Sequence, residues 1–166
     1  MTVGAPSGRR EGAPEGSETL LPEHLLFRIG VELFAIPLAH AEEAVEGLLW
    51  DVLPDLPFGV LGVATLRGRL LPVYSPQRPL GIERSDPYGV TLVLRHEHRA
   101  LGFAVDDVED VLSVPPESIR PAPLPDTGER VVRGVVRHGD ELVALLDTAA
   151  LFRACGVGDG ERGGAG

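Results

Sequence analysis

Lysine is absent from this chain, cysteine occurs once, and aromatic residues make up only 5% of it. Without lysine, the protein can perform no Schiff-base catalysis and can hold no phosphate-binding loop of the kind that requires one. The lone Cys155 excludes an intrachain disulfide and a metal site built from thiolates, and it fits a reducing compartment. With so few aromatic rings the core must be largely aliphatic, which favours buried β layers.

Positive charge and long apolar runs are also scarce. The chain has 15 arginines against 25 acidic residues, a formal net charge of −10. Such a field repels phosphate backbones, so we expect no nucleic-acid partner. No stretch reaches the roughly 18 apolar residues of a membrane span, and the first twenty residues lack the apolar run of a signal peptide. We therefore expect a soluble, cytoplasmic protein that does not insert into a membrane.

Both ends of the chain differ from its middle in composition. Residues 1–21 and 155–166 are rich in small and polar residues, and they have too few apolar side chains to offset the entropy of ordering them. We predict flexible tails there. Residues 22–154 are predicted to form one folded domain, since a chain of 166 residues is long enough for a single core.

The middle of the chain contains an internal repeat. Phe34-Ala35-Ile36-Pro37, an acidic pair at 42–43 and a glycine-led run at 62–73 recur in the same order as Phe103-Ala104-Val105-Asp106, an acidic pair at 109–110 and a run at 134–145. The spacing is 69 residues for the first segment, 67 for the acidic pair and 72 for the glycine-led run. Repetition of order as well as residue type predicts a duplicated β unit, two half-modules that share one core.

Short apolar runs separated by turn residues predict an all-β fold. Four hairpins are expected around polar turns, and another strand is expected at 108–114. The turns lie at 30–32, 67–69, 95–99 and 138–140. Helix is expected in three places only: residues 39–46 by propensity, little more than a turn at 75–80, and a short C-terminal helix at 147–152 with Asp147 or Thr148 as N-cap. The proline-rich residues 115–125 are expected to form a surface connection.

No catalytic, cofactor or metal site is predicted. His96 and His98 have a spacing that could hold a metal, but Arg95 and Arg99 beside them would repel a cation and no third ligand is evident. The acidic run at 106–110 lacks the alternating oxygen ligands and central glycine of a calcium loop. The serines lie in no nucleophile-elbow motif.

The turn Leu66-Arg67-Gly68 stands out among the hairpins. A glycine permits a positive φ, and an arginine at the tip can present a planar guanidinium to a partner. The matching turn of the second copy is His138-Gly139-Asp140, so this charge is not needed to build the unit. A partner contact and an ordinary exposed turn arginine explain the residue equally well.

These residues resemble the CheW-like family, the adaptor domain of bacterial chemosensory arrays. The similarity runs from residue 25 to residue 152, and its most specific part is Gly62-Val63-Ala64-Thr65-Leu66-Arg67-Gly68 followed by Leu71-Pro72-Val73. Further matches are the opening hairpin at 27–37, Ala41-Glu42-Glu43-Ala44, Gly102 to Val108, residues 119–123, Gly134-Val135 and Leu145-Leu146-Asp147.

The resemblance implies a fold and a function. The fold would be two five-stranded, SH3-like β-barrel subdomains sharing a hydrophobic core, with a short C-terminal helix. The function would be a non-enzymatic adaptor that binds the regulatory domain of a CheA-type histidine kinase and the cytoplasmic tips of chemoreceptors. The partner-binding positions would be Glu43, Val63, Thr65, Leu66, Arg67 and Gly68.

Three departures from the family pattern leave an alternative open. Thr65 replaces the usual asparagine, Ala41 replaces the common valine, and Tyr74-Ser75-Pro76 replaces the usual Val-Asp-Leu. A diverged CheW-like regulator would bind receptors or another signalling component but not the kinase.

Overall fold

Ten strands and two short α-helices make up the fold in the computed structural model, which describes residues 22–83, 88–123 and 130–157. Two single 3-10 turns, Leu38–His40 and Pro116–Ser118, complete these described parts. The elements are β1 (Glu23–Ile29), β2 (Glu32–Pro37), β3 (Ala41–Glu46), β4 (Val60–Leu66), β5 (Arg69–Tyr74), α1 (Gln77–Leu80), β6 (Val90–His96), β7 (Arg99–Val105), β8 (Asp107–Ser113), β9 (Val132–His138), β10 (Glu141–Leu146) and α2 (Thr148–Ala154).

The strands form two five-stranded sheets, which confirms the predicted all-β fold. The first sheet has the order β8-β1-β2-β10-β9 and the second has the order β3-β6-β7-β5-β4. Neighbouring strands are antiparallel except for one parallel pair in each sheet, β2 with β10 and β5 with β7. The four predicted hairpins are all present.

The internal repeat appears as an exchange of strands between the sheets. Strands β1 to β5 form the first copy and β6 to β10 the second, and each sheet combines the opening hairpin of one copy with the last three strands of the other. When the strands are numbered within their own copy, both sheets have the order third, first, second, fifth, fourth. Neither copy completes a sheet by itself, so the two halves of the sequence depend on each other for folding.

One core joins the two sheets. Phe27 stacks on Phe34 with ring centroids 5.8 Å apart, and its edge meets Phe103 at 6.4 Å. Phe34 lies on β2 and Phe103 on β7, the second strand of each copy, one in each sheet. Leucines and valines of β6 and β7 surround them, and α2 adds the buried residues Ala150, Leu151 and Phe152.

Two of the three helix predictions are confirmed. Asp147 caps α2 by accepting a hydrogen bond of 3.0 Å from the amide of Ala150, and α1 is a single turn. The prediction of helix at 39–46 is wrong, because only the 3-10 turn forms there and β3 follows it. Alternate β3 residues are partly buried against β6, and this tertiary pairing overrides the helical propensity of alanine and glutamate.

Two glycines lie where a connecting segment crosses a sheet edge. A Cβ added at Gly62 in β4 would lie 2.4 Å from the Trp50 ring and 2.7 Å from the carbonyl oxygen of Asp51. A Cβ at Gly134 in β9 would meet Ile119 and the carbonyl oxygen of Arg120 in the same way. Two backbone hydrogen bonds hold each crossing segment to its strand. They join Asp51 and Val63 in the first crossing and Arg120 and Val135 in the second. These crossings cover the outer edges of β4 and β9.

The remaining sequence expectations lie at the surface or outside the described residues. Trp50 packs against a small cluster formed by Ala64, Val73 and Ala104. Residues 115–123 form a surface connection, whereas 124 and 125 lie outside the described residues, as do both termini beyond 22 and 157.

Candidate functional site

The turn between β4 and β5 is a tight two-residue hairpin. Leu66 pairs with Arg69, and the two residues between them both have positive φ, 51° at Arg67 and 79° at Gly68. Two positive φ angles match the right-handed twist of the flanking strands. The sequence predicted this conformation for the glycine alone, because a positive φ is uncommon for any other residue.

Glu43 holds the guanidinium of Arg67. The Nη1 group of Arg67 donates a hydrogen bond to Oε2 of Glu43, and the bond raises the pKa of Arg67. Glu43 lies on β3 and Arg67 follows β4, which are the two outer strands of the second sheet, so the sheet curves until its edges meet. The Arg67 side chain is nevertheless 66% exposed, so it is oriented by Glu43 and still open to a partner.

Glu42 completes a charge cluster at this end of the second sheet. It forms ion pairs with Arg95 of β6 at 3.3 Å and with Arg69 of β5 at 3.8 Å. We call Glu42, Glu43, Arg67, Arg69 and Arg95 the second-sheet cluster. Three guanidiniums against two carboxylates give it a net positive charge within a chain of net charge −10.

The other predicted site residues lie along the strand that leads to this turn. Val63 and Leu66 are half-buried and Thr65 is exposed. Thr65 pairs with Leu70, whose side chain is 75% exposed. The structure therefore brings Glu43, Arg67 and Gly68 together at the tip. Glu42, Arg69 and Arg95 belong to the same charge cluster, and the exposed Leu70 follows Arg69 in β5, although sequence reasoning did not single them out.

The first sheet carries a matching cluster of opposite charge. Arg28 of β1 pairs with Glu109 of β8 at 2.5 Å and with Glu141 of β10 at 3.1 Å, and its hydrogen bonds hold the pKa of Glu109 below the usual value. By the repeat, Arg28 matches Arg95, Glu109 matches Glu42 and Glu141 matches Arg69. A single arginine between two carboxylates replaces a carboxylate between two arginines, so the two ends present different electrostatic surfaces.

Exposed apolar side chains accompany these clusters. Leu142 in β10, which matches Leu70, is 56% exposed. The segment between β3 and β4 exposes Leu49, Val52 and Phe58, and the guanidinium of Arg78 lies 4.8 Å from the Phe58 ring centre. Exposed apolar residues beside arginines are characteristic of protein interfaces.

The described residues contain neither a metal-binding group nor a membrane-spanning helix. Within 22–83, 88–123 and 130–157, no group of three or more His, Cys, Asp or Glu residues has a geometry that could hold a metal ion. His96 contacts the ring of His40, whereas His98 is exposed. No helix among these same residues is long and apolar enough to cross a membrane.

Paired five-stranded sheets, each with a charge cluster and an exposed leucine at one end, define a domain suited to binding other proteins. The model of the CheW-like domain family matches residues 23–155, and the chain belongs to this family. The family assigns the protein an adaptor or scaffold role in chemotaxis.

Individual relatives and a solved structure agree with this assignment. A probable chemotaxis protein CheW from Rhizobium etli is 31% identical over 134 residues, covering 78% of this chain and 86% of the relative. The chemotaxis protein CheW of Helicobacter pylori is 31% identical over 153 residues, covering 87% and 92%. The crystal structure of scaffolding protein TtCheW from Thermoanaerobacter tengcongensis has the same fold, with a TM-score of 0.71, 22% identity and coverage of 80% and 93%.

Proposed function

We propose that this protein couples the cytoplasmic tips of chemoreceptors to the regulatory domain of a CheA-type histidine kinase, and that it acts in the cytoplasm without enzymatic activity of its own. The Arg67 turn is the centre of the contact. The observation that carries the proposal is the Arg67 guanidinium, which Glu43 holds in one orientation while most of its surface remains exposed.

The physical basis is the arrangement of charge and apolar surface at this end of the sheet. A guanidinium held in place loses little conformational entropy when it binds a carboxylate. The exposed Leu70 and Thr65 beside it supply contact area. An anchored arginine next to apolar neighbours is a typical binding hot spot, whose loss costs about 2 kcal/mol or more.

Co-sedimentation of the purified protein with the kinase regulatory domain and with receptor tips tests the proposal. We expect the unmodified protein to bind both partners, and Arg67→Glu to weaken binding to at least one of them by about 30-fold or more. Arg137→Glu is the matched control, because Arg137 is also exposed and undergoes the same charge change. Absence of binding to either partner, or equal effects of the two substitutions, would contradict the proposal.

A second candidate is a regulator that binds receptors or another component but not the kinase. Thr65 favours it, since this exposed position next to the turn departs from the family pattern. Ser75 does not bear on it, because that side chain is buried and its hydroxyl accepts a hydrogen bond from the amide of Gln77. Kinase binding by the unmodified protein, unchanged by Thr65→Asn, would exclude this candidate.

A further inference from the structure

Two histidines join the C-terminal helix to the second sheet. His40 ends the 3-10 turn that carries the chain from the first sheet to the second. Its Nδ1 atom lies 2.7 Å from Oγ1 of Thr148, the first residue of α2. Thr148 is only 3% exposed. This hydrogen bond therefore attaches the start of α2 to the connection between the sheets.

His96 lies between His40 and the middle of α2. It ends β6, and its ring meets the His40 ring edge to face, with ring centres 5.5 Å apart. On its other side the Phe152 ring of α2 is 5.7 Å away. We call His40, His96, Thr148 and Phe152 the histidine contact. Two imidazoles in this arrangement pack well when at least one of them is neutral.

Charged groups from several elements lie around the histidine contact. On the α2 side, the Asp147 carboxylate favours a charged His40, although burial and the neighbouring His96 together keep the pKa of His40 below its usual value. Beside the contact, a cavity of about 440 Å³ is lined by His96, Glu97 and Arg99 and, from α2, by Phe152 and Arg153. From β1, the buried His24 lies opposite Pro37, just before the 3-10 turn.

We propose that the histidine contact is an acid-sensitive attachment of α2, stable with one imidazole protonated and broken when both are. Asp147 offsets the first positive charge, whereas Glu97 shares the cavity lining beside His96 with Arg99 and Arg153, so the lining carries a net positive charge. Two cations 5.5 Å apart repel each other strongly at the effective dielectric of a partly buried site. Coulomb's law there gives on the order of a hundredfold change in the docking equilibrium, and solvent exposure of the cavity side reduces it to about tenfold or more.

Opening the histidine contact would act on the core. Ala150, Leu151 and Phe152 pack into the cluster that both sheets share, so a detached α2 would expose that surface and enlarge the cavity beside it. Acidification in the range where histidines titrate, about pH 5 to 7, would thus be converted into a conformational change at the junction of the sheets. This inference does not depend on the proposed partners.

Hydrogen exchange of the full chain at about pH 7.5 and about pH 5, corrected for intrinsic rates, tests the inference. The amides of Leu151 and Cys155 report on α2, since they bond to the carbonyls of Asp147 and Leu151. The buried Val143 and Leu145 of β10 serve as the reference. We expect α2 to lose protection at least about tenfold more than β10 on acidification.

Variants identify the groups responsible. His96→Gln keeps a polar side chain but removes one charge, so it should abolish the extra loss of protection, and His40→Gln should do the same. His98→Gln is the control, because His98 is exposed in the same turn. Equal loss of protection in α2 and β10 of the unmodified protein would overturn the inference. The inference would also be overturned if both His96→Gln and His40→Gln still lost protection in α2 on acidification as much as the unmodified protein does. The comparison of α2 with β10 in the unmodified protein remains decisive even if one variant fails to fold.

Discussion

The glycines under the two crossings, Gly62 and Gly134, allow a quantitative test of how the repeat is built. An alanine at 134 would place its Cβ 2.6 Å from a methyl group of Ile119 and 2.9 Å from the carbonyl oxygen of Arg120. The methyl group can rotate away, but the carbonyl belongs to a backbone bridge with hydrogen bonds of 2.8 and 2.9 Å to Val135. The crossing segment must therefore move.

The cost follows from the contacts that are lost. Overpacking of this kind costs about 1–3 kcal/mol, and disruption of two backbone hydrogen bonds adds about 1 kcal/mol each. The reduced entropy of the unfolded chain returns up to about 1 kcal/mol. We expect Gly134→Ala to lower the free energy of unfolding by about 2–4 kcal/mol, and Gly62→Ala, with the Asp51 carbonyl in the matching place, to lower it by a similar amount.

Urea unfolding followed by circular dichroism measures this free energy. Gly139→Ala is the control: no atom lies within 4 Å of the added Cβ, and only the positive φ of 62° opposes the alanine, at a cost of about 1 kcal/mol. If Gly62→Ala or Gly134→Ala were no more destabilising than Gly139→Ala, the close crossings described above would be wrong.

Four further results are expected. Arg67→Ala should leave the thermal unfolding of the protein nearly unchanged, because its ion pair is exposed to solvent. Asp147→Ala should cost about 1 kcal/mol in the same assay through loss of the α2 cap. Burial lowers the pKa of His24, so the unfolded chain binds a proton at this residue more readily than the folded chain does. The folded state therefore loses stability as the pH falls below the usual histidine pKa, and the free energy of unfolding of His24→Leu in urea should depend less on pH in that range. Burial raises the pKa of Cys155 to about 12, so its labelling by a thiol reagent near pH 8 should be slow until the protein is unfolded.

Local patterns were sufficient to predict the turns and every strand except β3. Alternating apolar residues and glycine-containing turns identified all four hairpins, because these signals depend on neighbours in sequence. The repeat also predicted a shared core, which the contacts of Phe27 with Phe34 of one sheet and Phe103 of the other confirm. The exchange of strands between the copies could not be predicted, since the pairing of β2 with β10 joins residues more than 100 positions apart.

The candidate site was predicted only in part, because local sequence signals reveal a turn but not the contacts between distant strands. Arg67 and Gly68 were recognisable as a turn, and the family resemblance pointed to Glu43 independently. Their contact depends on the curvature that brings β3 next to β4, and the helical propensity of residues 39–46 concealed that strand. The opposite charges of Arg69 and Glu141 at matching positions became informative only when the structure placed each beside its cluster.

A charge-swapped double variant, Glu43→Arg with Arg67→Glu, tests the central claim most directly. It preserves the ion pair across the sheet edges but presents a carboxylate where the guanidinium was, so the contribution of the pair to the fold is separated from the contact with a partner. We expect thermal stability close to that of the unmodified protein and binding to the kinase domain or receptor tips weakened by about 30-fold, as for Arg67→Glu alone. Full binding to both partners by the double variant would contradict the account.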